Sequence, residues 1–163
     1  MTTLRGIAFL IACAVASGCG HVSRNMLTNE EREAVADTVE RLFDQVREAT
    51  NAVDLDRLLG LYRDSDDLMY VAQSQIARSH DAYERVVHSQ FDPVAEANLQ
   101  WLDTYIDVLT RDAAIATAAF QFTAVLRDGT TVNSAGTYTA VYSLRDGQWK
   151  IDYSAHTFPP NRQ

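Results

Sequence analysis

Two Asp-Gly pairs, Asp128-Gly129 and Asp146-Gly147, punctuate the last third of the chain and constrain its fold more than any other feature. Asp-Gly favours tight hairpin turns, because both residues tolerate the positive φ that such turns demand. The runs around the pairs, "AAIATAAFQFTAVL", "TVNSAGTYTAVYSL" and "QWKIDYSAHTF", are rich in β-formers. With "ANLQWLDTYIDVLT" ahead of them they read as a four-stranded antiparallel meander. Strands this long must twist or curl, and Gly136 suits a bend or bulge.

A two-residue turn at Asp146-Gly147 fixes the register of the last hairpin. Leu144 then pairs with Trp149, Tyr142 with Ile151, Ala140 with Tyr153 and Tyr138 with Ala155, all on one face. The other face pairs Ser143 with Lys150, Val141 with Asp152, Thr139 with Ser154 and Thr137 with His156. Apolar and polar faces separate cleanly, as a sheet covered on one side requires. Uniform alternation therefore predicts His156 on the outer, polar face, as a structural or interface residue. Only a local bulge would turn it inward. For the "RDGT" hairpin the register stays open, and Phe120 and Phe122 could face either way.

The first half of the chain has helical periodicity. Thr28 and Glu31 form a capping box ahead of Val35, Val39, Leu42, Phe43 and Val46, which recur at helical spacing. Asp54 caps a short second helix carrying Leu55, Leu58, Leu59 and Tyr62. "DLMYVAQSQ" reads as one short strand, and Ser79 caps a third helix that stops before Pro93. Helices followed by a meander predict an α+β domain, a curved antiparallel sheet with helices on one face.

With a net charge of −8 and Lys150 as the sole lysine, the chain lacks the basic patch that nucleic-acid binding needs. His80 and His88 stand eight residues apart, and there is no His-x-x-x-His or paired Cys motif, so no metal or cofactor is expected.

The N-terminus has the layout of an export signal: Arg5, an apolar run from about Gly6 to Ala16, then small residues up to Cys19. That run is too short to span a bilayer, which takes about 20 residues. "ASGC" resembles the bacterial lipobox, whose cysteine receives a diacylglycerol, with Ala16 standing where Leu is usual. The resemblance implies a signal peptide at 1–18 and lipidation of Cys19. It also implies an envelope protein held to the membrane by its lipid, with residues 19–27 as tether and 28–158 as the domain. Residues 159–163 are a tail. Cys13 leaves with the signal, so Cys19 is the single mature cysteine and no internal disulfide can form.

"NAVDLDRLLGLY", "RDAAIATA" and "TYTAVYSLRDGQWKIDYSAHT", in that order, resemble the SnoaL-like domains of the nuclear-transport-factor-2-like superfamily, over roughly residues 30–158. The resemblance implies a cone-shaped fold, a sheet wrapped around three helical segments, with an apolar pocket inside. It also implies homodimerisation through the outer sheet face, which holds Val141 and, in one of the two open registers, Phe120 and Phe122. The family's histidines after the "GxW" turn correspond to Tyr153 and Ala155 here, and His156 is displaced by one. Asp66 and Asp67 match an acidic pair of the family, but the strand after them carries no acid.

Steroid-isomerase-type members use a pocket Asp as base and a Tyr or protonated acid as donor. Asp103, Asp107, His156 and Asp152 are the candidates for the acid–base role, with Tyr105, Tyr138 and Tyr153 as donors. Asp103 and Asp107 share a face with Trp101 and Tyr105 if β alternation is unbroken. Trp101, Tyr105, Tyr138, Tyr142 and Tyr153 form the candidate pocket. With the usual histidine and base out of place, binding of a small apolar ligand or an envelope protein without catalysis is favoured. An isomerase, cyclase or dehydratase acting on a hydrophobic molecule is the alternative.

Overall fold

Helix α1 (Asn29–Asn51) starts where Thr28 and Glu31 close a reciprocal capping box. Thr28 Oγ1 accepts from the Glu31 N–H at 3.1 Å, and the Glu31 carboxylate accepts from the Thr28 N–H at 2.8 Å. The short helix α2 (Leu55–Gly60) is capped by Asp54, and α3 (His80–Phe91) by Ser79. The computed structural model describes residues 27–73 and 75–159, so the export signal and Cys19 lie outside the described residues.

Among the described residues six strands make one sheet: β1 (Met69–Ala72), β2 (Gln75–Arg78), β3 (Val94–Thr110), β4 (Ala113–Leu126), β5 (Thr131–Arg145) and β6 (Gln148–Thr157). Their order is β2-β1-β6-β5-β4-β3, antiparallel except for the parallel β1–β6 pair. The α+β class and the long meander agree with the sequence. "DLMYVAQSQ" does not form one strand: the chain turns at Gln73, with φ +52°, and β1 and β2 pair as a hairpin.

Helix α1 lies against the inner face of β3 and β4. Val39, Phe43, Val46 and Ala49 are buried there, over Ala114, Ala116 and Ala118, which are fully covered. A row of methyl groups lets the helix sit close to the sheet. Asn51 fastens its end: Nδ2–H donates to Leu99 O at 3.1 Å, and the Leu99 N–H donates to Oδ1 at 2.5 Å. Past Ala118 the inner face changes from methyls to the large rings of Phe120, Phe122 and Tyr138, and there the layers part.

Two β-bulges decide which side chains enter that space. In β3, Trp101 pairs with Phe120 but Thr104 pairs with Ala118, so one extra residue sits on β3. Trp101 faces inward, and beyond the bulge Tyr105 and Asp107 lie on the outer face, opposite Thr117 and Ile115. The common face predicted for Trp101, Asp103, Tyr105 and Asp107 is thereby split. In β6 the turn at Asp146-Gly147 is the two-residue one, with φ +51° and +74°, and Leu144–Trp149 and Tyr142–Ile151 pair as the sequence predicts. The register then shifts: Val141 pairs with Tyr153, Ala140 with Ser154 and Tyr138 with His156. Asp152 is the extra residue, and everything after it changes face. His156 turns inward and Tyr153 outward, the reverse of what uniform alternation predicts. A slip of the whole strand would have exposed Trp149 and Ile151 as well; the bulge moves only the segment after Ile151.

Gly136 keeps its ladder place opposite Phe120. Its missing side chain serves another purpose: a Cβ there would overlap the carbonyl oxygen of Thr157. The end of β6 therefore curls over the inner face of β5 and delivers Phe158.

Candidate functional site

Where the layers part there is a cavity of about 270 Å³. The sheet side is formed by Trp101, Phe120, Phe122, Tyr138, His156 and Phe158, and the helical side includes Val46, Tyr62, Tyr83 and Val87. Among the described residues no Asp, Glu, Lys or Arg lines it; Thr50, Gln73, Gln75, Gln90 and Ser134 are the polar residues beside the tyrosines and His156. A dry apolar cavity of about 150 Å³ holds benzene, so this one has room for a two-ring compound.

The rings around it form one packed array. Trp101 stacks on Tyr138 with centroids 5.4 Å apart and planes inclined 13°. Phe43 lies 4.5 Å from Trp101, whose Nε1–H donates to Phe43 O at 3.3 Å. Tyr83 touches both Tyr62 at 4.3 Å and Tyr70 at 4.9 Å. Such contacts fix each ring from several sides and leave little freedom to fill the remaining space.

Within this apolar wall runs a chain of hydroxyls. The Tyr62 and Tyr138 hydroxyls are 2.9 Å apart, and Ser154 Oγ is 3.4 Å from Tyr62. Ser154 is wholly buried, which only the Asp152 bulge permits. Burial pushes the hydroxyls of Tyr70, Tyr83, Tyr138 and Tyr142 above the ordinary tyrosine value, so these four stay protonated at neutral pH.

His156 completes the wall. Its ring lies 4.7 Å from Tyr138, 5.6 Å from Tyr70 and 5.9 Å from Phe120, and stacks on Phe158 at 6.3 Å. Nδ1 is enclosed and has no hydrogen-bond partner among the described residues. Desolvation lowers its pKa from 6.5 to about 4, so the ring is neutral at pH 7. Among the described residues lining the cavity, no carboxylate stands beside it to raise its basicity.

Of the five aromatic residues the sequence nominates for the pocket, Trp101 and Tyr138 line it. Tyr105 is 70% exposed on the outer face, and Tyr153 lies on that face opposite Val141. Tyr142 points inward but is buried outside the cavity, its hydroxyl without a partner among the described residues. Asp103 sits in the β3 bulge and Asp107 beyond it; both are exposed and neither reaches the cavity. Asp152 is likewise outside, held in an ion pair with Arg63. Phe120 and Phe122 face inward and line the cavity, so they are not part of the outer face. Tyr62, Tyr70 and Tyr83 join the site from three separate segments. Their sequence signal is a tyrosine on the apolar stripe of an element that would be served by Leu alone.

His80, Asp81 and Glu84 bring potential metal-ligating atoms within 4.8 Å of one another at the start of α3, outside this cavity. One ring nitrogen of His80 already lies 3.3 Å from Leu59 O, and acids at a helix start are ordinary companions of its positive end.

The family model described as SnoaL-like domain matches residues 39–160. No curated protein sequence matches the chain. Solved structures are similar in fold. A nuclear transport factor 2-like superfamily protein from Salmonella enterica superposes with a TM-score of 0.73 at 18% identity, over 81% of this chain and 96% of that one. A putative scytalone dehydratase from Novosphingobium aromaticivorans gives 0.72 at 15% identity, over 81% and 89%. A hexachlorocyclohexane dehydrochlorinase, LinA-type3, from Novosphingobium barchaimii gives 0.67 at 14%, over 80% and 90%.

Proposed function

The chain belongs to the SnoaL-like family, and from that premise we propose that its domain binds a small, neutral, largely apolar molecule in the aromatic cavity without transforming it. One observation carries this: the cavity has rings on both sides, no Asp, Glu, Lys or Arg among its described lining residues, and a histidine that is neutral at pH 7. An ionised ligand would lose its hydration there and find no opposite charge. A two-ring compound with one hydroxyl fits, its apolar body against Trp101 and Tyr138 and its O–H turned to the edge of the His156 ring that lines the cavity.

The test uses 2-naphthol, naphthalene and 1-naphthoate, with binding followed by titration calorimetry. Binding of 2-naphthol in preference to 1-naphthoate is expected, and His156→Phe should weaken 2-naphthol while sparing naphthalene. Equal binding of the anion would refute the reading. An acid–base role for His156 is favoured by its inward position and by the dehydratase and dehydrochlorinase named among the similar structures. It is disfavoured by a lowered basicity with no carboxylate in reach among the described lining residues.

The same reading holds the domain at the membrane of the bacterial envelope through a lipid on Cys19, supported by the order of charge, apolar run and small residues before it. Labelled palmitate should enter the wild-type chain and not Cys19→Ala; equal labelling would remove the anchor. The domain would pair with a second copy across its outer face, where Ile115, Val141 and Tyr153 surround small residues such as Thr117 and Thr139. A monomer in sedimentation would count against pairing.

A further inference from the structure

The bulge that turns His156 inward is held from outside the cavity. Arg63 Nε donates to Asp152 Oδ1 at 2.5 Å, and its Nη2 donates to the carbonyl of Ser143 at 2.9 Å and to the Ser143 hydroxyl at 3.1 Å. The Ser143 hydroxyl donates to the other carboxylate oxygen, which also accepts from Arg145 at 2.9 Å. The side chains of Arg63 and Asp152 are only 15% and 18% exposed, so solvent screens this pair far less than a surface one. The Arg63 backbone takes part too: its N–H donates to Ile151 O at 2.9 Å, while the Ile151 N–H donates to Leu61 O at 3.0 Å.

Asp152 marks a change of neighbours along β6. Before it, Ile151 bridges in parallel to Tyr62; after it, Tyr153 to His156 pair with β1. We propose that Arg63 is a positioning residue of the cavity: by clamping Asp152 in the bulge it fixes the inward facing of Ser154 and His156. It also fixes Tyr62, its chain neighbour, whose hydroxyl meets Tyr138 and Ser154. Arg63 itself does not line the cavity.

A prediction about Asp152 separates positioning from simple support of the fold. With Asp152 deleted, Ile151 and Tyr153 would fall opposite Tyr142 and Val141 in unbroken alternation, leaving His156 inward with no bulge to hold. Arg63 should then be dispensable.

The experiment follows the His156 titration by NMR in the full chain labelled at histidine, with His156→Phe assigning the signal. Wild type should titrate near pH 4. Folded Arg63→Met should titrate higher by about 1–2 pH units, as the ring gains access to water. Asp152 deletion combined with Arg63→Met should return it to near 4. An unchanged value in folded Arg63→Met overturns the proposal, as does a double variant that stays high. If Arg63→Met fails to fold, the double variant decides: folded with a low value supports the clamp, unfolded refutes it. The use given to His156 rests on the proposed function, but this readout needs no ligand. Failure of wild type to bind 2-naphthol would remove that function and leave the clamp standing.

Discussion

Acid should destabilise this protein through His156 in a window set by its burial. In the unfolded chain the ring titrates near its ordinary 6.5, and in the folded protein at about 4. Between those values the unfolded chain holds a proton that the folded one does not. Stability is complete above pH 6.5, falls as pH drops through the window, and loses nothing further from this residue below about 4. The difference of about 2.5 units corresponds to about 3 kcal/mol, a large part of the stability of an ordinary domain. The titratable groups facing the ring are the hydroxyls of Tyr70 and Tyr138, which stay protonated throughout. His156→Phe keeps a flat ring in the aromatic setting and removes the proton site. Urea unfolding at pH 7, 5.5 and 4 should show the variant gaining on wild type by about 3 kcal/mol from the first to the last. A fixed penalty from imperfect packing of Phe would cancel in that comparison, as would the other histidines and the carboxylates. A wild-type-to-variant difference independent of pH would refute the burial of His156.

Gly136→Ala should destabilise by about 1–3 kcal/mol, because its Cβ has to push back the Thr157 carbonyl and meets Phe120 Cε1 at 3.3 Å. Displacing the end of β6 moves Phe158, so 2-naphthol affinity should fall alongside thermal stability; unchanged melting would contradict the close approach. Asn51→Ala leaves the N–H and carbonyl of buried Leu99 without their partners and should cost about 1–3 kcal/mol in urea unfolding. Tyr62→Phe removes the hydroxyl that joins Tyr138 to Ser154, and should lower stability by about 1 kcal/mol while leaving the secondary structure seen by circular dichroism in place.

The sequence by itself determines what is local. Thr28 with Glu31, Asp54 and Ser79 start the three helices because each supplies an oxygen to free N–H groups a turn away. Asp146-Gly147 makes the tight turn because its positive φ values are cheap for those residues, and the first pairs after it follow by alternation. Even the α+β architecture follows from periodicities and their order. Tertiary structure alone decides the faces of Tyr105, Tyr153 and His156. Face is a parity, and one extra residue inverts it for everything downstream. Nothing in "WKIDYSAHT" marks Asp152 as that residue; an Asp in a strand reads equally well as a solvated side chain. Its place is set by Arg63, 89 positions earlier. A pocket was implied by the family resemblance, and Trp101 and Tyr138 do line it, but the rest of its lining was hidden for the same reason, since those rings come from helices and strands that meet only when the sheet has curled around them.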